Sequence, residues 1–157
     1  MDYTLELIVV PVTDVDRAKA FYLDQLGFEL EVDTTMGPDF RVVQLTPKGS
    51  ACSIAIGTGI SQMASGSLHG LHLCVEDIEA ARAELVERGV DASEPFHFGE
   101  AGQTTGLDPE RRSYSTFVTL HDPDGNTWLI QEVKRDWKVV VVKLDDVAGS
   151  PIGAMAS

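Results

Sequence analysis

The sequence has few cysteines and no long hydrophobic run. Cys52 and Cys74 are the two cysteines among 157 residues, and neither stands in a CxxC or Cys/His spacing. Both are therefore predicted to be small, buried apolar side chains of a reducing compartment, with a catalytic thiol as the alternative. No apolar stretch approaches the ~20 residues that cross a bilayer, and no secretory signal follows Met1. The sequence thus predicts a cytoplasmic protein with no membrane partner.

Positive charge is also scarce. Lysine and arginine number 12 against 25 aspartates and glutamates, which gives a formal net charge of −13. A field of this sign repels phosphate backbones, so nucleic acid is excluded as a partner. The same field would attract a cationic small molecule, although acidity also serves solubility alone. The length of 157 residues suits one domain, and 43% hydrophobic residues are enough for a sizeable core.

One stretch near the beginning of the chain is repeated 63 residues later. Residues 12–20, VTDVDRAKA, return as residues 75–83, VEDIEAARA. In each copy an apolar strand leads to an aspartate that can cap a helix, and a glycine stands where that helix ends. Further strand-like runs follow each helix, and those after the second helix are residues 91–98, 114–120 and 127–133. The sequence therefore predicts an α+β fold within residues 1–135, in which two βαβββ modules, about 4–61 and 67–134, form one curved eight-stranded mixed sheet with a concave cleft.

Three segments lie outside this repeat. Residues 99–112 are polar and rich in glycine, which predicts a long loop that is either a functional lid or simply mobile. Residues 136–147 include an apolar run that predicts an extra C-terminal strand, suited to a homodimer contact. Residues 148–157 are small and predict a disordered tail.

These features together resemble a known family. The chain is similar in several features to the vicinal oxygen chelate superfamily. These features are the tandem modules, the segment Pro11–Ala18, the short motifs Phe21–Tyr22 and Leu26–Phe28, and the hairpin Asp122–Asn126. Glyoxalase I, extradiol dioxygenases and bleomycin resistance proteins belong to this group. The resemblance is specific for the fold, which carries many different sites.

The resemblance also implies where a metal ion would be held. The family's metalloenzymes use four side chains, from the first and last strands of each module, and the resemblance places these positions at Leu7, Ala55, Gly70 and Leu129. None of these side chains offers the lone pair that a divalent cation needs. We therefore expect no metal and no other cofactor, which argues against a divalent-metal lyase or dioxygenase.

Strand alternation indicates which side chains line the expected cleft. Residues two apart share a face, so His72 joins Gly70, and Gln131 joins Leu129. His72 is the first candidate for an acid, a base or a hydrogen-bond donor, and the alternative is a histidine bound to a neighbouring carbonyl. Gln131 either orients a ligand or is a satisfied residue of the sheet.

The ends of the long loop supply further candidates. Phe96, Phe98 and Tyr114 flank it and either stack on a planar ligand or close the core. Arg111 and Arg112 either grip a carboxylate or form surface ion pairs. The complete predicted set of ligand-binding residues is Leu7, Ala55, Gly70, His72, Phe96, Phe98, Arg112, Tyr114, Leu129 and Gln131.

Two functions from different classes fit this pattern. In the first, the protein is a homodimer that binds a small natural-product-like molecule, aromatic or cationic, without metal, as the bleomycin-resistance branch does. In the second, it is a metal-free isomerase, cyclase or lyase in which His72 acts as the acid or base.

Overall fold

A computed structural model describes residues 1–134 of the chain, so the predicted strand at 136–147 and tail at 148–157 lie outside the described residues. The fold divides into two compact units, each with its own sheet. Unit 1 consists of Met1–Gly70, Arg88–Val90 and His121–Thr127, and unit 2 of Leu71–Glu87, Asp91–Leu120 and the described residues from Trp128 onward.

Unit 1 holds a four-stranded mixed sheet and one helical segment. Its sheet has the order β1-β4-β3-β2, in which β1 and β4 are parallel and the other pairs are antiparallel. The helix α1 contacts β4, and a π-helical turn continues it. In chain order the elements are β1 (Leu7–Val9), α1 (Val15–Ala20), the π-helical turn (Phe21–Gln25), β2 (Glu29–Thr35), β3 (Arg41–Thr46) and β4 (Ser53–Thr58).

Local signals in the sequence determine both ends of this helical segment. The Asp14 side chain accepts a hydrogen bond from the Arg17 backbone N–H at 3.0 Å, as the repeated aspartate predicts for a helix N-cap. Gly27 has φ +73°, a conformation that costs other residues more, and it ends the segment as expected. The π-helical turn was not predicted. It contains Phe21 and Tyr22, which are both buried.

Unit 2 repeats this plan around a five-stranded sheet of order β5-β9-β8-β6-β7. Strands β5 and β9 are parallel, and the Asp77 side chain caps α2 by accepting from the Ala80 backbone N–H at 3.0 Å. The helix ends before Gly89, which has φ +81°. The elements are β5 (Leu71–Val75), α2 (Ile78–Glu87), β6 (Phe96–Gly99), β7 (Gly102–Thr105), β8 (Thr116–His121) and β9 (Thr127–Glu132).

The α+β class with two similar modules is confirmed, but the number and extent of the strands differ from the prediction. The described residues form nine strands in two hydrogen-bonded sheets, where eight strands in one sheet were expected. The additional strand, β7, lies inside the segment 99–112 that was predicted to be a loop. It pairs with β6 through the Gly99–Gly102 turn, and its four residues are all exposed, so no hydrophobic alternation marks it in the sequence.

The strand predicted over residues 91–98 is shorter than expected. Regular pairing begins at Phe96, and the residues before it contribute one isolated bridge, from Ala92 to Leu120. In the part of the chain that the structure describes, neither helix is long and apolar enough to cross a membrane.

Candidate functional site

One face of the five-stranded sheet carries most of the predicted site residues of unit 2. The parallel register of β5 and β9 sets His72 beside Leu129 and Cys74 beside Gln131. Side chains in register point to the same face, so these four residues share one face of the sheet. The burial predicted for the two cysteines is wrong, because Cys74 is exposed at the surface of β5 and Cys52 is half-buried. Their neighbours Trp128 and Ile130 alternate to the opposite face, where they are buried.

Three phenylalanines lie on this same face. In the turn between β8 and β9 the Asp122 N–H donates to the Asn126 carbonyl at 3.0 Å, which sets His121 opposite Thr127, so Phe117 and Thr119 alternate onto the face of Leu129 and Gln131. Phe96 is in register with Phe117. We call this surface the ring face: it consists of His72, Cys74, Phe96, Phe98, Phe117, Thr119, Leu129 and Gln131.

The rings of the ring face contact one another. Phe96 and Phe117 have centroids 5.7 Å apart and tilted planes, and each lies 6.0 Å from Phe98 at a steep angle. Phe117 is fully buried, whereas Phe98 is half-buried. Sequence reasoning missed Phe117, although alternation back from the Asp122–Asn126 hairpin along β8 would have found it.

His72 is half-buried and, among the described residues, its ring nitrogens have no hydrogen-bond partner. The other histidines near this sheet differ. His97 Nδ1 is 2.8 Å from the Gly106 carbonyl oxygen, and His69 Nδ1 is 2.9 Å from Thr127 Oγ1. The bond to a neighbouring carbonyl that was the alternative for His72 is thus made by His97. The imidazole of His72 keeps both its donor and its acceptor for another molecule.

Gln131 is 6% exposed, yet its amide is only half satisfied. Its Nε2 donates to Cys74 Sγ at 3.5 Å, while its Oε1 is fully buried and has no hydrogen-bond partner in the part of the chain that the structure describes. Buried polar atoms are nearly always paired, so each exception requires an explanation.

The arginines that follow β7 form ion pairs within unit 2. Arg112 donates through Nε and Nη2 to both carboxylate oxygens of Asp108, at 3.0 and 2.8 Å. Its guanidinium holds the pKa of that buried carboxyl below its ordinary value. Arg111 makes an equivalent pair with Glu132. A ligand role for Arg112 would require it to share its guanidinium with Asp108.

Tyr114 is half-buried and has φ +63°, a left-handed conformation that is uncommon outside glycine. Its backbone N–H donates to the Glu132 carbonyl at 2.8 Å, which ties it to the end of β9. Its ligand role, like that of Arg112, stays a prediction.

The remaining predicted residues belong to unit 1. Leu7 and Ala55 share one face of the four-stranded sheet, because Ala55 is in register with Val9, two residues beyond Leu7. Gly70 is the last residue of the first segment of unit 1 and has φ +89°, with no heavy atom within 4 Å of the position that a Cβ would occupy.

The residues present do not fit the divalent cation of the family's metalloenzymes. Leucine, alanine, glycine and leucine side chains supply no donor at the four implied positions. Within residues 1–134, no group of three or more histidine, cysteine, aspartate or glutamate side chains is placed to hold a metal ion. Glu132 in particular is engaged by Arg111 and alternates to the face opposite His72.

A separate cavity of about 210 Å³ lies in unit 1. It is bounded by the end of β1, the segment that follows it and the end of β4 with its loop, and its lining carries no charged side chain: Val9, Val10, Pro11, Val12, Thr13, Gly57, Thr58, Gly59, Ile60, Ser61, Met63 and Ser65. None of the predicted site residues belongs to it.

Comparison with known proteins identifies relatives of the whole described fold. A family model described as the Glyoxalase/Bleomycin resistance protein/Dioxygenase superfamily matches residues 4–130. The crystal structure of TnmS3, an antibiotic binding protein from Streptomyces sp. CB03234, is 31% identical with a TM-score of 0.67, over 85% of this chain and 98% of that one.

Two further proteins are similar to this chain over most of their own length. A glyoxalase/bleomycin resistance protein from the same Streptomyces strain is 32% identical with a TM-score of 0.64, over 82% of this chain and 100% of its own. The uncharacterised protein YetH of Bacillus subtilis (strain 168) is 28% identical over 129 residues, which are 80% of this chain and 94% of YetH.

Proposed function

The chain belongs to the glyoxalase/bleomycin resistance protein/dioxygenase superfamily, and we propose that it binds a small natural-product-like molecule without the help of a metal ion. The observation that carries this proposal is the ring face, where three contacting phenylalanine rings lie beside the unpartnered polar groups of His72 and Gln131. Small-molecule sites are mostly apolar with a few placed polar groups, and this surface has that composition. The similarity to an antibiotic binding protein supports the same class of ligand.

The chemistry of the ring face favours a planar ligand. Aromatic rings prefer offset or edge-to-face contacts at centroid separations of about 4.5–7 Å, and Phe98, the half-buried member of the cluster, can extend such contacts to a bound ring. The net charge of −13 favours a neutral or cationic molecule over an anion. Aromatic and cationic ligands are thus the classes to test first.

The test is a titration of the full-length protein with planar aromatic antibiotics, followed by recovery and mass analysis of the ligand. We expect saturable binding, release of the ligand unchanged, and weaker binding by Phe98→Ala. The control is Leu30→Ala in β2 of unit 1, which removes an exposed apolar side chain outside the ring face. Equal loss in both variants, or no binding of any compound, would refute the proposal.

The unpartnered imidazole of His72 favours one alternative, a metal-free isomerase, cyclase or lyase. A histidine with both nitrogens free is able to accept a proton from a bound molecule and return it. Recovery of a chemically altered ligand from the same titration would select this alternative. Homodimerisation and a cytoplasmic location remain predictions from the sequence.

A further inference from the structure

We infer that the ring face selects planar molecules that carry a hydrogen-bond donor, such as a phenolic O–H or a ring N–H, and that Gln131 makes this selection. The inference rests on the proposed function, since it specifies the ligand of the same site. It starts from the Gln131 side chain, which is 6% exposed and has a buried Oε1 without a partner among the described residues.

The amide cannot be satisfied by the residues around it. In the observed orientation Nε2 donates to Cys74 Sγ at 3.5 Å and Oε1 is left alone. The contact with Cys74 occupies Nε2, although sulfur is a weak acceptor, and leaves Oε1 as the free end of the amide. The molecule that completes this site must therefore supply the donor that Oε1 lacks.

A ligand group that donates to Gln131 Oε1 would lie next to the phenylalanine rings. Gln131 shares the ring face with Phe117 and Phe98, and its register partner Cys74 is exposed. A planar molecule that contacts Phe98 can therefore extend toward Cys74 and Gln131. Because Oε1 is enclosed, the contact requires a neighbouring side chain to move aside while Nε2 stays on Cys74.

His72 does not impose the same requirement. Its neutral imidazole offers one donor and one acceptor, so it accommodates either kind of group on the ligand. Gln131 Oε1 is only an acceptor, and a ligand that places an ether or carbonyl oxygen there leaves two acceptors facing each other. A site with a buried polar atom rejects analogues that cannot pair with it.

The experiment compares two probes of nearly the same shape, 2-naphthol and 2-methoxynaphthalene, by equilibrium dialysis against the full chain. Only 2-naphthol has a donor. We expect it to bind at least about tenfold more tightly, which corresponds to ~1.4 kcal/mol. In Gln131→Met, which keeps the length of the side chain without its carbonyl, the preference should fall to less than about threefold.

Two controls test whether the preference for 2-naphthol depends on Gln131 and whether the probe binds at the ring face. Gln44→Met removes a glutamine of unit 1 whose amide is already bonded to Ser53 and Glu31, and it should leave the preference unchanged. Bound 2-naphthol should also protect Cys74, but not Cys52, from alkylation by N-ethylmaleimide, read by peptide mass spectrometry.

The outcomes separate this inference from the function on which it rests. If neither probe binds and Cys74 is not protected, the proposed binding at the ring face is wrong. If both probes bind and protect Cys74 with equal affinity, the ring face binds ligands but Gln131 does not select a donor. Equal affinity of the wild-type protein for the two probes overturns the inference even if Gln131→Met fails to fold.

Discussion

Glu132 accepts two hydrogen bonds from the guanidinium of Arg111, from Nε at 2.9 Å and from Nη2 at 2.7 Å, while its own side chain is 1% exposed. The same carboxylate accepts from the Ile78 backbone N–H at the start of α2, at 3.1 Å. One buried charge thus joins β9, the beginning of a helix and the residues before β8. Arg111 has φ +51°, so this pair also holds a residue in an uncommon backbone conformation.

This relationship predicts how stability depends on pH. The Arg111 guanidinium lowers the pKa of Glu132 below its ordinary value of 4.5. A carboxyl whose pKa is lower in the folded state adds stability above its unfolded pKa and loses it as the pH falls through the folded value. We expect Glu132→Gln to cost about 1.5–3 kcal/mol at pH 7, the range for bonds to a charged group, and the deficit to shrink below about pH 4.5.

Urea denaturation of both proteins between pH 3 and pH 8 measures this difference. Glu79→Gln is the matched control, because Glu79 contacts the same guanidinium at 3.4 Å but its side chain is 61% exposed. Exposed ion pairs contribute ~1 kcal/mol or less, so this variant should stay close to wild type. A deficit in Glu132→Gln that does not change with pH would contradict the assignment.

The hydroxyl of Tyr22 should stabilise unit 1. It donates to Asp122 Oδ2 at 2.8 Å, in a buried cluster where Asn126 Nδ2 donates to the same oxygen at 2.7 Å. We expect Tyr22→Phe to lose about 1.5–3 kcal/mol, because a buried carboxylate oxygen loses a hydrogen-bond donor. Tyr114→Phe is the control, since that hydroxyl has no partner among residues 1–134, and it should cost under ~0.5 kcal/mol. Thermal unfolding of the two variants would decide, and equal losses would argue against the role of Tyr22.

Features encoded by neighbouring residues were predictable from the sequence. The caps at Asp14 and Asp77 and the terminating Gly27 and Gly89 depend on hydrogen bonds and φ angles within one helical turn, so their spacing alone located both helical segments. Alternation likewise grouped His72 with Gly70 and Gln131 with Leu129, because residues two apart in a strand share a face, and the family resemblance implied that the two groups face the same way.

Features that depend on distant partners were not predictable. Nothing in the polar residues of β7 shows that they pair with β6, because an exposed edge strand has no apolar alternation. Arg111 and Arg112 are equivalent in sequence, yet they pair with carboxylates 21 and 4 residues away. The missing partner of Gln131 Oε1 could be recognised only once every described side chain around it had a position.

The purified protein should contain no stoichiometric divalent metal. The positions implied by the family are Leu7, Ala55, Gly70 and Leu129, none of which can donate a lone pair. We expect elemental analysis after dialysis to find less than about a tenth of an ion per chain, and ligand binding to be unaffected by a chelator. One zinc, iron, manganese or nickel ion per chain would overturn metal-independent binding and return attention to enzymatic functions.

Substitution at Gly70 tests whether the positive φ angle before β5 requires a glycine. A Cβ there would meet no atom within 4 Å, but φ is +89°, which side-chain-bearing residues rarely adopt. We therefore expect Gly70→Ala to cost about 1–2 kcal/mol from backbone strain. Gly57→Ala provides a contrast, since its Cβ would clash with the Arg41 carbonyl oxygen and must displace the paired strand. A Gly70→Ala protein as stable as wild type in denaturant titration would show that this backbone relaxes freely.

Replacing His72 distinguishes the binding protein from the metal-free enzyme. In a binding protein His72→Ala removes at most one neutral hydrogen bond to the ligand, about 0.5–1.5 kcal/mol, whereas a catalytic acid or base contributes a rate factor of 10² or more. His72→Gln sharpens the comparison, because glutamine keeps a donor and an acceptor but cannot take up a proton near neutral pH. We expect His72→Gln to bind the ligand of the titration nearly as well as wild type, by calorimetry, and neither protein to convert it. Turnover by wild type that His72→Gln loses while its affinity is kept would instead establish proton transfer by His72, since glutamine keeps a donor and an acceptor for the ligand but cannot carry a proton.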